Sequence, residues 1–152
     1  MARARYHHGD LPRALRAAAR TLVRRDGAQG FSLRAAAKSA GVDPAAVSRH
    51  YRDKQALLDA VAEDGFVELA QAMEDAAARH RKPALKLRAA GEAYLGFAVG
   101  APRLFRLMFD TKRVDPAAVA ARTESGKNAY ETLLGILEAL RRAGTACDPC
   151  RT

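Results

Sequence analysis

Ala45, Ala46, Ser48, Arg49 and His50 form a cluster of small and hydrogen-bonding side chains between Asp43 and Tyr51. On a short helix this mixture leaves little bulk near an approaching surface, while hydroxyl, guanidinium and imidazole groups reach toward it. A helix entering the major groove of duplex DNA needs both properties, because base edges are read at close range by hydrogen bonds. Arg34 upstream and Lys54 downstream add further cations to the same stretch. The chain holds 35 alanines, so small residues here fit an alanine-rich genome equally well. The residues alone leave both readings open.

Positioning such a cluster requires two short helices joined by a tight turn, and the punctuation for them is present. Ser32 is placed to cap a helix with Leu33, Ala36, Ala37 and Ala40 on one side, and Gly41 ends it. Asp43 caps the next, with Pro44 at its first position and Val47 and Tyr51 facing inward. Together these make a helix-turn-helix. Before it, Asp10 and Pro12 start a helix whose inner face is Leu15, Ala18, Ala19, Leu22 and Val23, stopped by Asp26-Gly27 and Gly30. After it, Asp53 caps a long helix striped by Leu58, Val61, Ala62, Gly65, Leu69, Met73 and Ala76.

A break at His80 to Pro83 precedes a fifth helix, from about Ala84 to Gly100, and a sixth from Pro102 to Phe109. A last helix, from about Pro116 to Ala143, spaces Val119, Thr123, Gly126, Tyr130, Leu133, Leu137 and Leu140 by fours and threes. No stretch alternates like a strand. The expected fold is all-α.

Charge sharpens the reading. The 152 residues carry a net charge of +9, and of this +8 lies in the segment ending at Lys54, with 12 basic and 4 acidic side chains. Such asymmetry suggests either a solvated basic face or a polyanion-binding module joined to a nearly neutral one, with nucleic acid and an anionic membrane surface as the two candidate polyanions. The basic arm of Arg3, Arg5, His7 and His8 suits a minor groove or phosphates.

The residues from Tyr6 to Leu58 resemble the DNA-binding domain of the TetR/AcrR family of bacterial transcriptional repressors. The likeness rests on Tyr6-His7-His8-Gly9-Asp10-Leu11, on Phe31-Ser32-Leu33-Arg34-Ala35-Ala36-Ala37 and on Ala40-Gly41-Val42. It ends with His50-Tyr51-Arg52-Asp53-Lys54-Gln55-Ala56-Leu57-Leu58. The resemblance implies that Arg34 reaches a base edge or phosphate, and that Ala45, Ala46, Ser48, Arg49 and His50 occupy recognition-helix positions, with His50 on a phosphate. It also implies that Lys54 contacts the DNA backbone. Relatives usually carry an aromatic residue at the position of Ser48 or Arg49. This chain has neither, and Arg49 is suited instead to a bidentate contact with guanine.

Enzyme chemistry finds no support: there is no Gly-rich phosphate loop, no His-Glu-x-x-His and no serine elbow. Cys147 and Cys150 have C-x-x-C spacing but lack the further ligands of a zinc site. No cofactor or metal is expected. The longest apolar run, Ala93 to Ala101, is too short for a bilayer, and no apolar leader follows Met1, so a cytoplasmic protein without membrane contact is expected. Tyr94, Phe97, Phe105, Met108, Phe109, Tyr130, Leu134 and Leu137 are either plain core or the lining of an effector cavity, and the resemblance favours the cavity.

The organisation expected is a helix-turn-helix domain over residues 1–53, a helical effector-binding and dimerisation domain over 54–143, and an irregular tail over 144–152. The resemblance also implies an expectation of a shortened C-terminal domain, since members of that family usually continue for two further helices that form the dimer interface. The functional expectation is a ligand-responsive repressor that binds a palindromic operator as a homodimer and is released by a small apolar effector. The alternative is a helical interaction protein that does not dimerise productively on DNA.

Overall fold

Side-chain caps set the helix boundaries in the computed structural model, which describes residues 11–110, 131, 134–139 and 141–142. The Ser32 hydroxyl accepts from the Ala35 amide at 3.2 Å, an Asp43 carboxylate oxygen from Ala45 at 2.7 Å, and one of Asp53 from Ala56 at 2.8 Å. Each satisfies an amide that a helix start leaves without a partner. The helices so begun are α2 (Leu33–Ala40), α3 (Pro44–His50) and α4 (Lys54–Ala78). Ahead of them runs α1 (Leu11–Gly30), and α5 (Pro83–Gly100) and α6 (Pro102–Met108) follow. Residues 131, 134–139 and 141–142 are helical as well. The fold is all-α. The expected Asp10 cap, the basic arm, the start of the last helix and the C-x-x-C pair lie outside the described residues.

The contacts divide the chain into two compact units. The first holds α1, α2, α3, the part of α4 up to Ala62, and α6 from Arg103. In it α1 packs on α2 and α2 on α3. Leu15, Ala37 and Val47 form the centre, with Leu11, Leu33, Ala40, Val42 and Tyr51 packed around them. Ala18, expected inside, is half-buried, while Leu15, Ala19, Leu22 and Val23 are buried. Tyr51 reaches the core from just beyond α3, as its extended C-terminal cap.

Helix α1 does not simply stop at Asp26-Gly27. Gly27 takes φ 76° and ψ 172°, a conformation open essentially to glycine alone, and the chain resumes a helical path to Gly30. Against this break, the Arg103 guanidinium donates to the Arg25 carbonyl across 78 residues of sequence. Arg25 also pairs with the Asp26 carboxylate at 2.7 Å, and that hydrogen bond holds the Asp26 carboxyl below its usual range. Leu104, Leu107 and Met108 of α6 are buried.

The second unit comprises Glu63–Pro102 and the described residues beyond 130. Leu69, Ala70, Met73 and Ala77 of α4 are buried in it, so the stripe read from the sequence ends on Ala77 and not on Ala76, which is half-buried. The last helix differs in the same way. Its spacing predicts a packing stripe through Leu137, yet Ile136 is buried at 8% exposure and Leu137 is 43% exposed. Neighbouring positions differ by about 100° around a helix, and spacings of three and four fit two adjacent faces. Tertiary contacts choose between them.

Candidate nucleic-acid interface

The turn between α2 and α3 is a Schellman motif built on Gly41. This residue has φ 69° and ψ 30°, the left-handed conformation that costs a side chain about 1–2 kcal/mol. Its amide donates to the Lys38 carbonyl at 3.2 Å, and the Val42 amide donates back to Ala37 at 3.0 Å. Val42 and Ala37 also meet in the apolar cluster, the contact that accompanies this motif. Asp43 then starts α3, and Val47, 1% exposed, pins its inner side to the core.

With Val47 inward, the rest of α3 is presented outward. Ala45, Ser48, Arg49 and His50 are exposed, and Ala46 is half-buried. The Ser48 hydroxyl lies 3.5 Å from the Pro44 carbonyl, a long hydrogen bond that is easily exchanged. Arg34 is exposed in the first turn of α2. Beside α3 lies a cleft of about 350 Å³, lined by Leu11, Gly41, Val42, Asp43, Ala46, Arg49 and His50. The arrangement gives one helix with two methyl side chains and three hydrogen-bonding groups, held rigidly by caps at both of its neighbouring turns.

Lys54 is placed differently from the other six. It is half-buried, its Nζ donates to the Gln29 carbonyl at 3.3 Å, and it stands 6.0 Å from the centre of the Phe31 ring. The lysine ties the first turn of α4 to the end of α1 and to Phe31 just beyond it. Sequence reading missed Gln29 and Phe31 as its partners, because nothing local links positions 25 residues apart.

The residues named for an effector are distributed over several elements. Tyr94 and Phe97 lie on α5, both half-buried, within the second unit. Phe105 and Met108 lie on α6 in the first unit, and the Phe105 and Phe109 rings meet at 4.6 Å, with Phe109 47% exposed. Leu134 and Leu137 are exposed, and Tyr130 lies outside the described residues. Among the described residues no group of three or more His, Cys, Asp or Glu is arranged to hold a metal, and no helix is long and apolar enough to cross a membrane.

Comparison with known proteins agrees with this geometry. Residues 15–61 match the bacterial regulatory proteins of the tetR family, and residues 87–151 match the tetracyclin repressor-like C-terminal domain. No curated protein matches the sequence. Among solved structures, a protein of unknown function from Rhodococcus sp. RHA1 is 38% identical, with a TM-score of 0.81 over 93% of this chain and 73% of its own. A TetR family transcription regulator from Marinobacter aquaeolei VT8 shares the fold at 24% identity and a TM-score of 0.65, over 88% of this chain and 69% of its own. The TetR family transcriptional regulator PfmR from Thermus thermophilus does so at 23% and 0.67, over 87% and 72%. Proteins of this family are transcription regulators and not enzymes. A capped helix-turn-helix with an exposed arginine-bearing second helix, followed by a matching helical C-terminal domain, makes this chain a DNA-binding transcriptional regulator belonging to the tetR family of bacterial regulatory proteins.

Proposed function

We propose that the protein is a repressor that binds a palindromic operator as a homodimer and releases it when a small apolar effector enters its helical C-terminal domain. The observation that carries this reading is the exposed face of α3, where Ser48, Arg49 and His50 stand clear of a core pinned by Val47. Arg49 pairs with a guanine edge, Ala45 and Ala46 leave room for it, and Arg34, His50 and Lys54 contact backbone or base edges from either side. Two such helices fit successive major grooves about 34–36 Å apart, so an effector that changes their separation ends binding. Within the second unit, Tyr94, Phe97, Tyr130, Leu134 and Leu137 are the proposed effector contacts, and residues 1–53 and 54–143 the corresponding domains.

Selection of bound sequences from a pool of random duplexes tests this directly. The expected product is an inverted repeat with guanine in each half-site, protected by the protein in footprinting. Recovery of no preferred sequence would overturn the operator reading. Genes flanking this one supply candidate effectors, whose addition should release the selected duplex.

A further inference from the structure

One flank of α3 carries apolar surface that its hydrogen-bonding groups do not account for. The cleft of about 350 Å³ beside the helix has two kinds of wall. Asp43, Arg49 and His50 are exposed along it, whereas Leu11, Val42 and Ala46 are half-buried. Leu11 and Val42 each pack one side against the core of Leu15, Ala37 and Val47 and turn the rest to the cleft. Three elements therefore bring hydrocarbon to one place: the first residue of α1, the turn after Gly41, and the flank of α3. The helix period sets Ala46 and His50 on that flank, and Arg49 between it and the outermost line of α3.

The chemistry of the walls restricts what can fill the cleft. A phosphate would exchange water for three hydrocarbon side chains and meet the carboxylate of Asp43, one oxygen of which already accepts from the Ala45 amide. Of the groups that base pairs present in the major groove, one is apolar, the C5-methyl of thymine. The others are donors and acceptors, which hydrocarbon would strip of water without replacing the lost bonds. Arg49 lines the same cleft three residues beyond Ala46. Cβ atoms at that spacing stand about 5–6 Å apart, under two base steps of about 3.4 Å.

We infer that Leu11, Val42 and Ala46 form a thymine-methyl site, within two base pairs of the guanine that Arg49 contacts, an assignment that rests on the reading of α3 as the helix in the major groove. Arg49 selects guanine through paired hydrogen bonds, and the cleft selects thymine by taking its methyl out of water. Leu11 and Val42, which lie outside α3, thereby become specificity-determining residues.

The test uses the full chain and the duplex recovered by sequence selection. Each thymine within two base pairs of the guanine is replaced in turn by deoxyuridine, which removes the methyl and leaves base pairing unchanged. Anisotropy titrations then give Kd. One thymine in each half-site should stand out, its replacement weakening binding about fourfold, the factor for burying one group of methyl size. Ala46→Val fills the cleft from the protein side, and Val42→Thr places a hydroxyl in its wall at nearly constant shape. Both should abolish the difference between thymine and uracil while keeping the loss caused by replacing guanine. The uracil series uses the unaltered chain, so its result stands even if a variant fails to fold. A guanine preference with no thymine nearby, or with every such thymine tolerating uracil, overturns the site and leaves the operator reading intact. A uracil effect that persists in both variants reports DNA shape and overturns the site as well. Recovery of no preferred sequence overturns the site and the operator reading together.

Discussion

Arg49 and Lys54 are both cations near the same surface, yet their surroundings predict different behaviour. Arg49 is exposed at the end of α3, with a guanidinium fork that matches the two acceptors of a guanine edge. Arg49→Ala should therefore weaken operator binding by roughly 1–3 kcal/mol and leave binding to random duplex much less affected. Anisotropy titrations on the two duplexes measure the difference, and equal losses on both would remove Arg49 from base recognition. Lys54 is tethered to the Gln29 carbonyl and the Phe31 ring. With the phosphate contact proposed for its ammonium, Lys54→Ala should weaken all sequences about equally. It should also lower stability by about 0.5–1 kcal/mol through loss of the cation–ring contact. A urea melt that does not move would show that the tether contributes nothing.

Among the elements, the turn before α3 and the docking of α6 are the most sensitive to single changes. A Cβ at Gly41 would meet nothing within 4 Å, so its substitution strains the backbone and nothing else. Gly41→Ala should cost about 1–2 kcal/mol in chemical denaturation, and Gly41→Asn less, because asparagine tolerates the left-handed region better. Equal cost for both would point to a steric cause instead. At the other end of the first unit, Arg103 fixes α6 to the broken end of α1 through the Arg25 carbonyl, with its Cδ 3.8 Å from where a Gly27 Cβ would lie. Arg103→Ala should speed amide exchange in α6 and in the last turn of α1 before Gly27, leaving α2 and α3 protected. Hydrogen-exchange mass spectrometry resolves these segments, and uniform protection would mean that buried Leu104, Leu107 and Met108 hold α6 unaided.

For the molecule as a whole, apolar exposure in the second unit is the quantity that predicts behaviour in solution. Leu95 is 62% and Val99 80% exposed on one side of α5, and Leu134 and Leu137 are 39% and 43% exposed on the last helix. Apolar surface of this kind favours association, since its burial stabilises by about 25 cal/mol per Å². The chain should self-associate in a concentration-dependent way, and operator binding should steepen as protein concentration passes the dimer constant. Sedimentation across the micromolar range measures it. Leu95→Lys and Val99→Lys should shift the constant toward monomer if α5 takes part. A monomer at every concentration, on and off operator DNA, would instead support the reading of a helical interaction protein.

The sequence by itself determined the parts of this protein that depend on neighbours along the chain. Ser32, Asp43 and Asp53 cap helices within three residues of themselves, Gly41 closes a turn through bonds to Lys38 and between Val42 and Ala37, and the basic bias of the early segment needs only counting. The helix-turn-helix and its outward residues were legible for that reason: once Val47 is inward, the period of the helix places Ala45, Ser48 and Arg49 outward. Only the tertiary structure decided that Lys54 turns to Gln29 and Phe31, that α6 joins the first unit through Arg103, and that Ala77 and Ile136 are buried where the spacing points to Ala76 and Leu137. These contacts span 25 and 78 residues or select between adjacent faces of one helix. Spacing along a helix fixes which residues share a face, but the surface that buries that face is supplied by another part of the chain.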